Sequence, residues 1–223
     1  MRIRYLKNTP EILSASGLVA EDPCEFKGKW LEYFAQRTGR NVETLCLEIG
    51  CGMGGFIRKA AYREPAAGWA GVERLSTILA RAVRRLEENQ PEPANLTLIR
   101  WDALELGEVF ENGELDRIYL NFSDPWPKER HAKRRLTSER FLPLYASLLK
   151  PGGVLQMKTD NDSLFEYSLE RLQTDGWTVI EQTRDLYKSA LAETNIPTEY
   201  EEHFVSLGKK ICCLQAVCTN KSR

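Results

Sequence analysis

From Thr44 onward, short and nearly continuous apolar runs alternate with longer stretches in which apolar residues recur about every three to four positions. The first kind suits strands buried on both faces and the second suits amphipathic helices, so the pattern predicts an α/β fold: a parallel sheet with helices on both faces. Strands are expected at Thr44 to Ile49, Trp69 to Glu73, Leu96 to Arg100, Leu115 to Phe122, Val154 to Thr159, Thr178 to Thr183 and Lys210 to Val217. Between them, helical spacing is carried by Ile78, Leu79, Ala82, Val83 and Leu86, by Phe141, Leu144, Tyr145 and Leu148, and by Leu164, Phe165, Ser168, Leu169 and Leu172. Pro151-Gly152-Gly153 ends the second of these abruptly. The last two strands follow each other closely, which predicts a Rossmann-like, seven-stranded, mostly parallel sheet with an antiparallel last strand. Ligands of such sheets bind at the carboxyl ends of the strands. Before Thr44 the pattern is mixed, with one short helical periodicity at Trp30, Leu31 and Phe34 that marks residues 1–40 as an N-terminal helical extension to a domain spanning 41–223.

Composition narrows the chemistry. The chain has 223 residues, 42% of them hydrophobic, enough for one large core. Its 31 basic and 32 acidic residues nearly cancel, so affinity for a polyanion has to come from a local patch rather than from the field of the whole protein. No apolar run approaches a bilayer span, and the start Met1-Arg2-Ile3-Arg4-Tyr5 lacks the apolar stretch of a secretory signal; a cytoplasmic protein without membrane contact is expected. The six cysteines form no CxxC pair and have only His131 and His203 for company, so no metal site is expected and the buried thiols count as small hydrophobes.

Candidate chemistry begins where the first strand, Thr44 to Ile49, runs into Gly50-Cys51-Gly52-Met53-Gly54-Gly55. Glycines there allow a sharp turn and let a ligand approach bare backbone. Gly50, Gly52 and Gly55 satisfy G-x-G-x-x-G, and Glu73 follows at the distance of a ribose-binding acid, which brings nicotinamide dinucleotides into consideration. Glu48 argues against them: a carboxylate two residues before the first glycine repels a pyrophosphate in a partly buried site. The same carboxylate suits a ligand with an ammonium, a sulfonium and no phosphate, namely S-adenosylmethionine. Glu73 can then accept from the ribose hydroxyls, and Asp102, just past the third strand, from the adenine amino group. Acids at three successive strand ends resemble the constellation of the class I methyltransferases, with Gly50, Gly52 and Gly54 as the cofactor loop.

The acceptor side follows the fourth strand. In Ser123-Asp124-Pro125-Trp126-Pro127, two prolines stiffen the backbone around Trp126 and hold Asp124 at the strand end. The run Lys128-Glu129-Arg130-His131-Ala132-Lys133-Arg134-Arg135 comes next, a concentrated phosphate-binding surface in an otherwise balanced chain. The string Asn121 to Thr137, NFSDPWPKERHAKRRLT, closely resembles the bacterial tRNA (guanine-N7-)-methyltransferase family. So do Leu47 to Gly52, Lys158-Thr159-Asp160-Asn161, Leu164 to Tyr167 and Thr198-Glu199-Tyr200-Glu201.

The resemblance implies methylation of the variable-loop guanosine of tRNA by an enzyme acting as a monomer or homodimer. It implies cofactor contacts from Glu48, Glu73, Asp102 and Asp124, and substrate contacts from Lys128, Asp160, Thr198, Glu199, Tyr200 and Glu201. Arg130, His131, Lys133, Arg134 and Arg135 form the expected RNA-binding loop. N7 of guanine has a lone pair and no proton, so catalysis needs alignment and charge placement rather than a general base, and Asp124 is the group expected to stabilise the transferred positive charge. Carboxylates such as Glu201 or Asp160 could accept from N1–H and N2–H of the base, which must then be unpaired or swung out. Asp124-Pro125-Trp126 also resembles the Asp-Pro-Pro-Tyr-type motif of enzymes that methylate exocyclic amines in DNA or another RNA, a second-ranked alternative because one residue separates the prolines here. A cofactor-binding scaffold without catalysis ranks below both.

Overall fold

The computed structural model describes residues 6–88 and 92–219; the charged start from Met1 to Tyr5 lies outside them. The chain has a seven-stranded, mostly parallel Rossmann-like sheet with helices around it. It falls into two compact units that divide between Glu111 and Asn112.

The first unit runs α1 (Thr9–Ala15), α2 (Trp30–Thr38), β1 (Thr44–Ile49), α3 (Gly55–Arg63), β2 (Ala67–Val72), α4 (Ser76–Glu88), β3 (Leu96–Ile99) and α5 (Leu106–Val109). Its strands lie in the order β3-β2-β1, all parallel, with Glu48 opposite Gly71 and Val72 opposite Ile99. α4 buries Leu79, Ala82, Val83 and Leu86, the face that the spacing predicts, and α2 buries Trp30 and Phe34. β2 starts two residues before its expected place. Gly68 and Gly71 lie inside the strand because neighbours press on them: a Cβ at Gly68 would collide with the Phe34 ring, and one at Gly71 would meet Ile57 Cδ1 at 2.9 Å and the Cys51 sulfur at 3.1 Å. The segment before β1 is knit into this unit. Val19 bridges Leu98 in parallel, and the Trp30 indole N–H donates to the Val109 carbonyl at 2.9 Å.

The second unit runs β4 (Leu115–Asn121), α6 (Leu142–Leu148), β5 (Leu149–Thr159), α7 (Asp162–Thr174), β6 (Trp177–Thr183), α8 (Glu199–Ser206) and β7 (Cys212–Cys218). Its strand order is β4-β5-β7-β6; β7 is antiparallel to both neighbours, as expected of the last strand. β5 begins at Leu149 rather than Val154. Pro151-Gly152-Gly153 ends the helix but stays within the strand as an irregularity, where the β4 partner moves from Leu115↔Leu149 to Arg117↔Val154. The connection from β6 to β7 is no hairpin. It holds two 3-10 turns and α8, whose start is a capping box: the Thr198 hydroxyl accepts from the Glu201 N–H, and the Glu201 carboxylate accepts from the Thr198 N–H.

Candidate active site

In the first unit the expected cofactor residues converge at the carboxyl ends of β1, β2 and β3. The turn after β1 is closed by two amides, those of Gly50 and Cys51, donating to one carbonyl, Val72 O, at 2.8 and 3.0 Å. Gly50, Gly52 and Gly54 have φ of 75°, 55° and 74°, the left-handed region that L side chains avoid. A Cβ at Gly50 would meet nothing within 4 Å, so bare backbone there faces open space. Glu48 is buried on β1. Burial pushes the Cys51 thiol well above its usual range, and the carboxylates of Glu48 and then Glu73 push it further, so two acids act on one point in the glycine turn.

Glu73 accepts from the Leu75 amide at 2.9 Å through Oε1. Asp102 caps a short turn by accepting from the Leu104 amide at 3.0 Å, with an Arg74 guanidinium nitrogen 3.8 Å from its Oδ2. The three acids therefore sit at or just past adjoining strand tips, two of them acting on the glycine turn. This set of acceptors suits a cationic, phosphate-free ligand and repels a pyrophosphate, so S-adenosylmethionine fits better than a dinucleotide.

In the second unit the loop after β4 is locked on both sides of Asp124. Phe122 and Trp126 have φ of 51° and 41°, a conformation costly for aromatic side chains and held here by surrounding contacts. The Phe122 amide donates to Lys158 O at 2.8 Å. Arg135 donates to the carbonyls of Pro125 and Trp126, both at 3.1 Å, and its guanidinium lies 4.2 Å from the Tyr167 ring centroid. The Arg134 guanidinium lies 4.8 Å over Trp126, and His131 meets the same indole edge-on at 5.7 Å. The expected RNA-binding residues thus divide by task. Arg135 is half-buried and occupied in bracing the loop, whereas Lys128, Arg130, Lys133 and Arg134 are exposed, as is Asp124.

Asp160 and Tyr200 come together with Phe122. The Tyr200 ring lies 5.0 Å from Phe122 and 4.3 Å from Phe204, and Asp160 raises the Tyr200 hydroxyl together with the larger effect of burial. Glu201 differs from the sequence expectation. It is fully buried, Oε2 accepting from Lys158 Nζ at 2.6 Å and the Thr198 amide at 3.3 Å, Oε1 from the Tyr187 hydroxyl at 2.9 Å and Asn195 Nδ2 at 2.6 Å. Four donors fill the roughly four lone-pair directions of a carboxylate, so Glu201 is engaged within the protein.

Lys158 and Tyr187 belong to this network, and neither stands among the residues that the sequence assigns to the site. Lys158 stands in a strand-like apolar run where a cation has no place unless paired, and that anomaly was the signal available. Among the described residues no group of three or more His, Cys, Asp or Glu could hold a metal ion, and no helix is long and apolar enough to cross a membrane.

Residues 42–214 match the model of a family described as "Putative methyltransferase". A tRNA (guanine-N(7)-)-methyltransferase from Brevibacillus brevis is 42% identical over 99% of this chain and 100% of its own length. One from Limosilactobacillus fermentum is 44% identical over 97% and 98%. Among solved structures, an antibiotic-related methyltransferase superposes with a TM-score of 0.63 at 15% identity, covering 95% of this chain and 97% of its own. The 16S rRNA (adenine(1408)-N(1))-methyltransferase from Catenulisporales acidiphilia does so with 0.61 at 16% identity, covering 92% and 97%. At such identities the structural likeness speaks for the fold alone.

Proposed function

Because the chain belongs to the tRNA (guanine-N(7)-)-methyltransferase family, we propose that it transfers a methyl group from S-adenosylmethionine to N7 of a guanine in tRNA, the variable-loop guanosine. The observation that supports the cofactor side of the reading is the burial of the Glu48 carboxylate on β1, two residues before a glycine turn whose backbone at Gly50 faces open space. When bound, S-adenosylmethionine supplies a methyl carbon made electrophilic by its sulfonium. Glu48 provides the counter-charge for the cationic ligand, Glu73 accepts from ribose hydroxyls and Asp102 from the adenine amino group.

Guanine N7 presents a lone pair and no proton, so no side chain has to act as a general base. Asp124 stabilises the positive charge that arrives on the guanine imidazole ring, an electrostatic contribution of the kind that depends on prior placement. The stiff, braced loop around it supplies that placement. Lys128, Arg130, His131, Lys133 and Arg134 draw in tRNA phosphates, and Asp160 and the Thr198 to Tyr200 segment receive the base, with Glu201 fixing that segment from beneath. The enzyme works in the cytoplasm, where six free thiols stay reduced, as a monomer or a homodimer.

The test is incubation with labelled S-adenosylmethionine and separate pools of tRNA, other RNA and duplex DNA, followed by nucleoside analysis. 7-Methylguanosine in tRNA alone is expected; label on an exocyclic amine would overturn the N7 assignment. Asp124→Asn should lower kcat by about 100-fold while leaving S-adenosylmethionine affinity nearly constant, and an unchanged kcat would remove Asp124 from the reaction.

A further inference from the structure

Lys209 stands at the same aromatic platform as Asp160. Tyr200 is 47% exposed, with the rings of Phe122 and Phe204 against it, and both phenylalanines pack on the small core of Leu186, Ile211 and Cys213. Lys209 lies just beyond α8, its amide held to Phe204 O at 3.0 Å and its ammonium 4.3 Å from the Phe204 ring centroid. From there Nζ reaches Asp160 Oδ2 at 3.0 Å. The carboxylate of Asp160 raises the Tyr200 hydroxyl and the Lys209 ammonium lowers it, so both charges face this one ring. Lys209 is 49% exposed and Asp160 16%, and an ion pair with one end this open to water contributes little to stability. An ammonium has three donors and a carboxylate about four acceptor directions, and each spends one on the other.

Resting on the guanine reading above, we infer that Asp160 and Lys209 together read the base. Asp160 accepts from N1–H and N2–H, Lys209 donates to O6, and the ring of the base lies on Tyr200. A carboxylate beside an ammonium matches the donor–donor–acceptor edge of guanine. Adenine in the same pose sets its N6 amino group against the ammonium and its bare N1 against the carboxylate, so both contacts are repulsive. Aromatic support for an unstacked base is the usual complement to reading that edge.

The experiment measures kcat/KM on two tRNA transcripts that differ only at the acceptor, one with guanosine and one with 6-thioguanosine, whose sulfur is a poor hydrogen-bond acceptor. The enzymes are the parent, Lys209→Met, which keeps the apolar stem on Phe204, and Lys209→Arg, which keeps a charged donor. A charge-assisted hydrogen bond to O6 corresponds to a preference for oxygen over sulfur of about 10-fold or more in the parent. Lys209→Met should lose that preference and about the same factor on guanosine, and Lys209→Arg should retain the preference. The ratio between transcripts does not depend on the fraction of enzyme that is folded. A Lys209→Met enzyme that still prefers oxygen overturns the inference, whatever its rate, because Lys209 then only props Asp160. A parent enzyme that methylates neither transcript sinks the tRNA reading itself and this inference with it.

Discussion

Replacing Lys158 by methionine removes one charge from a fully buried pair and keeps most of the side-chain volume. The ammonium donates to Glu201 Oε2 at 2.6 Å, Ile196 O at 2.8 Å and Asn195 Oδ1 at 3.0 Å, so its three protons are all used. Without it, Glu201 stays buried as a carboxylate facing only the Tyr187 hydroxyl, the Asn195 amide group and the Thr198 N–H, while two oxygens lose their donor. Breaking a buried pair from one side costs about 3–5 kcal/mol, because the surviving charge has lost its compensation. For a chain of this size that is a fall of about 6–20 °C in melting temperature, a large share of a typical margin of about 5–15 kcal/mol.

Adding Glu201→Gln removes the stranded charge, so the double variant should be more stable than Lys158→Met alone even though it carries one more substitution. Urea unfolding followed by circular dichroism measures both, with calorimetric melting as a second reading. A Lys158→Met protein within about 1 kcal/mol of the parent, or a double variant that loses as much again, would refute the claim that desolvated charge holds the start of α8.

Gly50→Ala should weaken S-adenosylmethionine binding at least about 10-fold in calorimetry and cost about 1–2 kcal/mol of stability, since φ is 75° there and the new methyl enters the space that the backbone faces. Unchanged affinity would detach that turn from the cofactor. Arg135→Lys should lower kcat with little change in tRNA KM, because it releases the Pro125 and Trp126 carbonyls that brace the Asp124 loop; Arg130→Ala should instead raise KM and flatten its dependence on salt. A matched pair of salt slopes would show that both arginines merely attract phosphate.

Burial pushes the Cys213 thiol up to about 12 from an ordinary 9.0. The folded state therefore holds that proton more tightly than the unfolded state, and the stabilisation is complete below about pH 9 and lost as pH rises toward 12. Cys213→Ala should unfold less steeply over that window, as read by denaturant midpoints against pH, and an unchanged slope would assign the alkaline loss to other groups.

The strand rhythm of the fold and the acids at its strand tips were legible because both depend on local pattern. Glu48, Glu73 and Asp102 lie at or just past the ends of short apolar runs, and a parallel sheet brings such ends together without further instruction. The two residues by which β2 starts early, Ala67 and Gly68, were not legible, because the Phe34 ring that requires a bare backbone at Gly68 comes from a distant segment. The start of α8 was written in Thr198-Glu199-Tyr200-Glu201 as a capping box, but its glutamate reads equally well as a ligand until Lys158, forty-three residues away, is seen to fill the carboxylate. Arg135 looked like its basic neighbours. Only the positions of the Pro125 and Trp126 carbonyls set it apart, and the left-handed backbone at Phe122 and Trp126 leaves no mark in sequence, being imposed by tertiary contacts rather than by residue preference.

The placement of β7 between β5 and β6 bears on how the protein is made. During synthesis β5 and β6 emerge first, and each waits with an open hydrogen-bonding edge until Cys212 to Cys218 arrives to join them. Until that strand pairs, two edges that are joined in the finished sheet stand open to other strands. A chain cut before Cys212 lacks the strand that joins β5 to β6, so its second unit is left with both edges unpaired.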